Sequence, residues 1–282
     1  MTVVDEHVQA RPSPGLRPFV ALYSGYRQRG LAPALHRGLP SPYLTLILTL
    51  DEPLTIREHP DGKQAPGTYD TLLGGLHLAP ALITHDGAQS GVQIAVHPLG
   101  CRALLGLPAG ELSGLDVDLP AVLGDRAASS LRAAVLAHDS WAGRFAALDA
   151  ALLRLCRADQ DPHPDLGYAY ERLLATGGAV TVRQVAAEVG WSTRHLTSRF
   201  RAETGLGIKE AARVTRFDRA RRRLRPGVKL GDLAAATGYF DQAHLARDFH
   251  AFAGVPASRW LADEIAFVQA RGVPDGEDGW HD

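Results

Sequence analysis

The chain has 282 residues, of which 45% are hydrophobic and 22% are charged. This length allows two ordinary domains, and the composition excludes disordered and fibrous proteins. The best candidate for an apolar run, residues 43–50, is far shorter than the roughly 18 residues that a membrane-spanning helix needs. The N-terminus has no signal-like core, and Cys101 and Cys156 have no metal-ligand spacing. We therefore expect a cytoplasmic protein that has no cofactor and no contact with a membrane.

The net charge of −1 conceals an uneven distribution of charge along the chain. Residues 179–262 contain 15 Lys and Arg against 7 Asp and Glu, whereas the remainder contains 15 against 24. A basic C-terminal part joined to an acidic N-terminal part indicates that only the former faces a polyanion. Charge alone is weak evidence, because many basic faces are merely solvated.

Residues 1 to about 110 are predicted to be rich in β-strands. The clearest strand is Tyr43–Leu50, a run of β-formers bounded by Pro42 and Pro53. Further short strands are predicted at residues 54–58, 71–73, 76–84 and 92–96, separated by turns that contain Gly or Asp. Several short strands at this spacing favour a sandwich or a small barrel.

From Leu99 onward the apolar residues follow a helical spacing. Helices are predicted over residues 129–137 and 141–157. Residues 159–164 are polar and contain two prolines, which is typical of a linker between domains. Another helix is predicted from Pro164 or Asp165 to about Ala175, ended by two glycines.

A repeat is the strongest internal signal of the C-terminal part. Gln184-Val-Ala-Ala-Glu-Val-Gly-Trp191 aligns with Asp232-Leu-Ala-Ala-Ala-Thr-Gly-Tyr239, and His195-Leu-Thr-Ser-Arg-Phe200 aligns with His244-Leu-Ala-Arg-Asp-Phe249. The offset is 48 residues before the turn and 49 after it, so the second copy has a turn that is one residue longer.

Each copy is typical of a helix-turn-helix unit. A small residue in the first helix permits close crossing, and Gly190 or Gly238 supplies the turn, where a positive φ costs glycine little. Ser192 or Asp241 then caps the second helix.

The second helix of each copy has two distinct faces. Leu196 with Phe200, and Leu245 with Phe249, are four residues apart and are predicted to face the core. The opposite face carries polar, amide and guanidinium side chains, which can reach base edges in a major groove. Any amphipathic helix has a polar face, but two copies with the same turn favour a shared function. The predicted DNA-contacting residues are Ser192, Thr193, Arg194, Thr197, Ser198 and Arg201, and then Asp241, Gln242, Ala243, His244 and Arg247.

The segment between the copies, residues 208–224, is predicted to form one helix with a buried side and many arginines. Such a helix is roughly 25 Å long. That is about the length needed to hold two recognition helices one DNA turn, roughly 34 Å, apart. One chain would then place both helices in adjacent major grooves of double-stranded DNA, and we expect Arg222 to contact phosphate and to add sequence-independent affinity.

Residues 180–261 resemble the DNA-binding domain of the AraC/XylS family of bacterial regulators. The resemblance is carried by Val185-Ala-Ala-Glu-Val-Gly-Trp-Ser192, by Arg216-Phe217 with Arg219-Ala220, and above all by Ala236-Thr-Gly-Tyr-Phe-Asp-Gln-Ala-His-Leu245, followed by Phe249, Phe252, Gly254 and Pro256. One departure is Ile208, where the family usually has proline, and this affects the predicted start of the linker helix.

The resemblance implies an α+β protein. It implies an N-terminal β-rich, cupin-like barrel or sandwich with following helices, and a C-terminal all-α domain of two helix-turn-helix units joined by a linker helix. We assign residues 1–158 to a sensing or dimerisation domain and residues 164–270 to the DNA-binding domain.

The resemblance also implies control of transcription through RNA polymerase. The positions that read bases in the family correspond here to Arg194, Thr197 and Ser198, and to Gln242, Ala243 and Arg247. Ala243 is too short for readout by hydrogen bonds, so the second unit is expected to depend on Gln242 and Arg247. A good bidentate contact of this kind is worth about 1–3 kcal/mol of discrimination.

The N-terminal domain is expected to bind a small-molecule effector, although the sequence assigns no residue to it. The alternative is a constitutive regulator whose N-terminal domain mediates only dimerisation or protein contacts. Residues 129–157 either form a homodimer interface or pack on the strands. Its five histidines show no metal-ligand spacing, so we expect no metal site; they are His36, His59, His77, His85 and His97.

Two enzymatic alternatives are disfavoured by the residues present. A DNA-alkylation repair protein with a similar DNA-binding module needs four zinc-binding cysteines and a Pro-Cys-His-Arg active site, whereas the chain has 2 cysteines. A cupin enzyme needs a clustered His and Glu metal set on its strands. We therefore expect a regulator and not an enzyme.

Overall fold

The computed structural model describes residues 3–157 and 163–269, and for residues 264–269 the backbone alone. The strands are β1 (Val4–Ala10), β2 (Val20–Arg29), β3 (Ala34–Gly38), β4 (Leu44–Thr49), β5 (Leu54–Glu58), β6 (Gly67–Tyr69), β7 (Thr71–Gly74), β8 (Ala81–His85), β9 (Gln89–Val96) and β10 (Asp116–Asp118). The helices are α1 (Cys101–Leu105), α2 (Pro120–Leu123), α3 (Asp125–Leu136), α4 (Trp141–Leu155), α5 (Pro164–Ala175), α6 (Val182–Glu188), α7 (Thr193–Thr204), α8 (Ile208–Arg223), α9 (Leu230–Ala236), α10 (Gln242–Ala253) and α11 (Ala257–Gln269).

The strands form two antiparallel sheets. Their orders are β1-β2-β9-β4-β7-β10 and β3-β8-β5-β6, and neither sheet closes on itself. The sequence predicted either a sandwich or a small barrel, and the strands form a sandwich. The predicted strands at residues 43–50, 54–58, 71–73 and 92–96 are confirmed, whereas the one predicted at 76–84 begins only at Ala81.

Strand β4 explains why residues 43–50 form an almost continuous run of β-formers. Leu44, Leu46 and Leu48 are at most 1% exposed and belong to the main core of the protein. On the opposite face of the strand, Ile47 packs with Ile56 and other residues between the two sheets. A strand that is buried on both faces does not alternate between apolar and polar residues.

Helices α3 and α4 pack on the outer face of the larger sheet, as one of the two sequence-based alternatives predicted. Arg132 of α3 donates from Nε to the carbonyl of Thr49 at 3.1 Å. On α4, Asp149 accepts a hydrogen bond of 2.7 Å from the hydroxyl of Tyr23. Trp141 lies directly over Gly25 of β2, where an added Cβ would meet the indole at 2.4 Å.

The C-terminal helices form an all-α domain around an apolar core. Leu196, Phe200, Leu245 and Phe249 are all 0% exposed, which confirms the predicted buried faces of α7 and α10. The ring of Phe217 on the linker helix α8 packs against Phe249 at a centroid distance of 5.2 Å. The core is therefore shared between the linker helix and both helix-turn-helix units.

The two domains contact each other through specific pairs. Arg102 of α1 forms a bidentate ion pair with Glu203 in the last turn of α7, with distances of 2.6 and 3.1 Å. The hydroxyl of Ser113 donates to the carbonyl of Gly205 at 2.9 Å. Arg37 of β3 pairs with Asp263 of α11 at 3.1 Å. The N-terminal domain therefore contacts the C-terminal end of α7 and, separately, α11, which follows α10.

Residues 158–162, which include most of the predicted linker at 159–164, lie outside the described residues. The predicted domain boundary therefore stays a prediction. Helix α5 begins at Pro164 and ends at Ala175, as predicted. None of the helices within residues 3–157 and 163–269 is long and apolar enough to cross a membrane.

Candidate nucleic-acid interface and interior cavity

The first helix-turn-helix unit consists of α6 and α7. The turn between them uses Gly190 with a φ of 71°, a conformation that favours glycine. Ser192 caps α7, because its Oγ accepts a hydrogen bond of 3.1 Å from the backbone N–H of His195. The ring of Trp191 lies edge-on against His195 with centroids 4.5 Å apart, which fixes the start of the recognition helix.

The second unit, α9 and α10, repeats this arrangement. Gly238 has a φ of 81°, and Asp241 accepts a hydrogen bond of 2.7 Å from the backbone N–H of His244. The ring of Tyr239 lies edge-on to His244 at 5.0 Å, as Trp191 does to His195. The sequence repeat is thus a structural repeat in which each turn, cap and aromatic–histidine pair is present.

The structure places the predicted DNA-contacting residues at the start and on the outer side of the two recognition helices. Ser192, Asp241 and His244 hold the helix starts through capping and ring contacts. Two others make contacts within the domain: Arg201 pairs with Glu210 at 2.7 Å, and Thr197 donates to the carbonyl of Thr193 at 2.8 Å. The other six predicted DNA-contacting residues are exposed, and they are Thr193, Arg194, Ser198, Gln242, Ala243 and Arg247.

Several arginines of α8 stabilise the domain itself. Arg213 pairs with Asp248 of α10 at 2.7 Å, and Arg216 donates to the carbonyl of Gly178 at 2.9 Å. Arg221 and Arg222 both pair with Asp218, at 2.7 and 2.8 Å. The first two contacts hold the linker helix against its neighbours, whereas the two pairs with Asp218 lie within the linker helix itself.

A cavity of about 480 Å³, partly open to solvent, lies between the two sheets. Its walls come from strands of both sheets, and three residues of the C-terminal domain complete them: Arg221, Arg222 and Trp260. Arg222 thus lines a space shared with the N-terminal domain while its side chain is 55% exposed, and its predicted contact with phosphate stays a prediction.

The lining of the cavity combines apolar, polar and charged side chains, and the charged ones are Glu6, Arg37, Asp116, Arg221 and Arg222. It includes Ser24, Gln28, Tyr43, Thr45, His77, Gln89 and Gln93. Burial lowers the pKa of His77 and raises the pKa of Tyr43, so both side chains are neutral at neutral pH. Asp116 also lines the cavity, and one of its carboxylate oxygens is 2.8 Å from Nδ1 of the buried His59.

The residues that line this cavity were not predicted from the sequence. Strands β1, β2 and β3, which supply part of its wall, were not expected. Leu22, Ser24, Tyr26 and Gln28 all line the cavity, so β2 has the two-residue alternation of a strand with one lined face. A two-residue alternation over residues 22–28 is therefore the signal from which strand β2 could have been predicted.

The histidines of the N-terminal domain are spread over separate environments. His59 contacts Asp116 and Tyr69, His77 lines the cavity, and His97 packs between Tyr43 and Tyr170. Within the described ranges, no three His, Cys, Asp or Glu side chains are grouped as metal ligands would be.

Comparison with known proteins is consistent with this geometry. The family described as "Helix-turn-helix domain" matches residues 171–263, and the family described as "Domain of unknown function (DUF6597)" matches residues 8–118. A crystal structure of an apo ToxT variant from Vibrio cholerae strain SCE256 is similar over 86% of this chain and 96% of its own, with 11% identity and a TM-score of 0.51. The fold is therefore similar to that of ToxT, and residues 171–263 match a helix-turn-helix family.

Other solved structures are similar to this chain at lower TM-scores. ToxT from Vibrio cholerae O395 has 11% identity and a TM-score of 0.48, over 88% of this chain and 98% of its own. The C-terminal domain of AraT, a response regulator from Geobacillus stearothermophilus, has 18% identity and a TM-score of 0.34, over 42% of this chain and 95% of its own. A search of curated proteins gave no match.

The match to a helix-turn-helix family over residues 171–263 agrees with the two units that the structure has there. The expected α+β architecture is confirmed, with a β-rich N-terminal part followed by two helix-turn-helix units joined by a linker helix.

Proposed function

We propose that this chain is a regulator of transcription that binds two adjacent major grooves of DNA with α7 and α10. We further propose that a small-molecule effector bound in the N-terminal sandwich controls it. Double-stranded DNA and the effector are its direct partners, and its output in the cytoplasm passes through RNA polymerase. The observation that carries the effector proposal is the shared wall of the cavity, to which Arg221, Arg222 and Trp260 contribute from the DNA-binding domain.

The size and chemistry of the cavity support a small molecule as its occupant. Sites for small molecules usually measure about 300–1,000 Å³ and combine apolar walls with a few polar groups. The volume here, about 480 Å³, lies in that range, and Ile47, Leu54 and Ile56 are among the apolar residues of its lining. A ligand in this space would contact α8 and α11, and through them the frame that holds both recognition helices.

For DNA reading we assign the base contacts to Arg194, Thr197 and Ser198 in the first unit, and to Gln242, Ala243 and Arg247 in the second. All six lie in the N-terminal halves of α7 and α10, and recognition helices of this class present their N-terminal residues to base edges.

The test of DNA reading starts with selection of preferred sites from random duplexes by the full chain. Arg194→Ala is then compared with Arg183→Ala, which removes an exposed arginine from α6 instead. We expect Arg194→Ala to lose about 5- to 150-fold in preference for the selected site over random DNA, because one bidentate base contact is worth about 1–3 kcal/mol. An equal loss on both duplexes would contradict the assignment.

The test of the effector uses thermal-shift screening of the full chain against small metabolites. Ala95→Phe fills the cavity from β9, whereas Ala150→Phe places the same ring on the exposed side of α4 as a control. We expect a hit to stabilise the parent chain and the control, to change their DNA affinity, and to have no effect on Ala95→Phe. Stabilisation without any change in DNA affinity would instead favour the constitutive alternative.

A further inference from the structure

Phe240 is the most exposed of the large apolar side chains described, at 92%. It lies between the buried Tyr239 and Asp241, the residue that caps recognition helix α10. Its neighbours fix its backbone: the N–H of Tyr239 donates to the carbonyl of Ala234 at 3.0 Å, and the N–H of Phe240 donates to Nδ1 of His244 at 3.4 Å. The ring therefore projects from a rigid turn.

The first helix-turn-helix unit has no counterpart to this residue. There Trp191 is followed directly by the cap Ser192, whereas in the second unit Phe240 stands between the equivalent Tyr239 and Asp241. Phe240 is thus the one-residue extension of the second turn. The extension leaves the cap and the aromatic–histidine pair of the repeat intact, so it is not needed to form the helix start.

The recognition helix beside it is short of groups that form hydrogen bonds with bases. Ala243, one turn from Phe240 and also exposed, presents only a methyl group. In the major groove the apolar feature of a base pair is the C5-methyl group of thymine, and Ala and Phe are among the side chains that contact it. A large ring left in water gains free energy when such a contact covers it.

We propose that Phe240, together with Ala243, forms an apolar surface that recognises the methyl group of a thymine in the second half of the DNA site. This proposal rests on the proposed function, because it requires α10 to enter the major groove. It assigns the specificity of the second unit to one apolar contact beside the polar contacts of Gln242 and Arg247.

The experiment compares the full chain with Phe240→Ala and Phe240→Leu on duplexes selected from a random pool. Leu136→Ala, which removes an exposed apolar side chain from α3, is the control. Each thymine of the selected site is then replaced by deoxyuridine, which lacks only the methyl group. We expect one replacement in the second half-site to weaken the parent chain and the control about fourfold, the value of one buried methyl group.

On the unmodified site, we expect Phe240→Ala to bind more weakly than the parent, to be insensitive to that replacement, and to select sites without a preference for that thymine. The affinity of Phe240→Leu for the unmodified site should lie between those of the parent chain and Phe240→Ala. Because the ring is 92% exposed, the substitution should not unfold the chain, which the melting temperature verifies.

Other outcomes would overturn the proposal. Equal affinity and identical selected sites for the parent and Phe240→Ala would show that the ring does not read DNA. A loss of affinity without any sensitivity to deoxyuridine would place the ring against the sugar. Unchanged DNA binding with reduced transcription by purified RNA polymerase would make it a protein contact. If the parent chain selects no site at all, the proposed DNA reading fails first.

Discussion

The ion pair between Arg102 and Glu203 gives the sharpest stability prediction. Glu203 lies in the last turn of recognition helix α7, and its side chain is 11% exposed, whereas that of Arg102 is 40% exposed. The carboxylate accepts both hydrogen bonds that Arg102 donates, at 2.6 and 3.1 Å. Removal of the arginine leaves a buried charge without this partner, which costs more than the loss of a surface pair.

We therefore expect Arg102→Ala to reduce the free energy of unfolding of the full chain by about 1–3 kcal/mol, the range for a buried group that loses its hydrogen bonds. Glu203→Gln should cost less, because water can reach the arginine that it leaves behind. The double variant should be more stable than the sum of the two single changes predicts, since neither partner is left charged and buried.

The measurement is urea unfolding at neutral pH, followed by tryptophan fluorescence and by circular dichroism, with agreement between the two as the check on a single transition. Arg126→Ala, which removes an exposed arginine of α3, is the matched control. The reasoning is wrong if Arg102→Ala behaves like this control, or if Glu203→Gln is the more damaging change.

Three further predictions concern other parts of the chain. Gly25→Ala should destabilise the protein by about 1–3 kcal/mol in urea unfolding, because the new Cβ would meet the ring of Trp141 at 2.4 Å; no loss would mean that the helix moves aside. Burial lowers the pKa of His97 to about 4, so the neutral form is favoured in the folded state and stability should decline as the pH falls from about 6.5 towards 4. His97→Phe should show a weaker decline of the melting temperature over that window, and an unchanged decline would assign it to other groups. Arg222→Ala should alter the response to the effector, whereas the salt slope of DNA affinity tests the predicted phosphate contact: a slope reduced by about 1 would confirm it and an unchanged slope would contradict it.

The helix-turn-helix units were predictable from sequence because their signals are local. The caps Ser192 and Asp241, and the turn glycines Gly190 and Gly238, act within a few residues of the helices that they define. The length of the linker helix was predictable for the same reason, since its apolar and charged faces repeat at the period of a helix. The helices of both units and the linker helix therefore lie where the sequence predicts them.

The first three strands and the cavity were not predictable in this way, because distant partners determine them. Gly25 is required by Trp141, which follows more than a hundred residues later. Gln28 is buried in a strand because it bonds with Asp5 and Gln89 on the neighbouring strands. The contribution of Arg222 to the cavity wall was not predictable either, since a helical pattern indicates that an arginine is polar but not which domain it meets.

The contacts between the domains bear on how an effector signal would reach DNA. The N-terminal domain is tied to the first unit by Arg102 and Glu203, and to α11, which follows the second unit, by Arg37 and Asp263. The cavity wall includes Arg222 of the linker helix that joins the units. Movement of the linker helix alone would strain both ties, because packed cores deform little. An effector would therefore act on the relative position of the two recognition helices rather than on either helix alone. Under the proposed function, the spacing between half-sites is then the property of the DNA site on which effector sensitivity should depend.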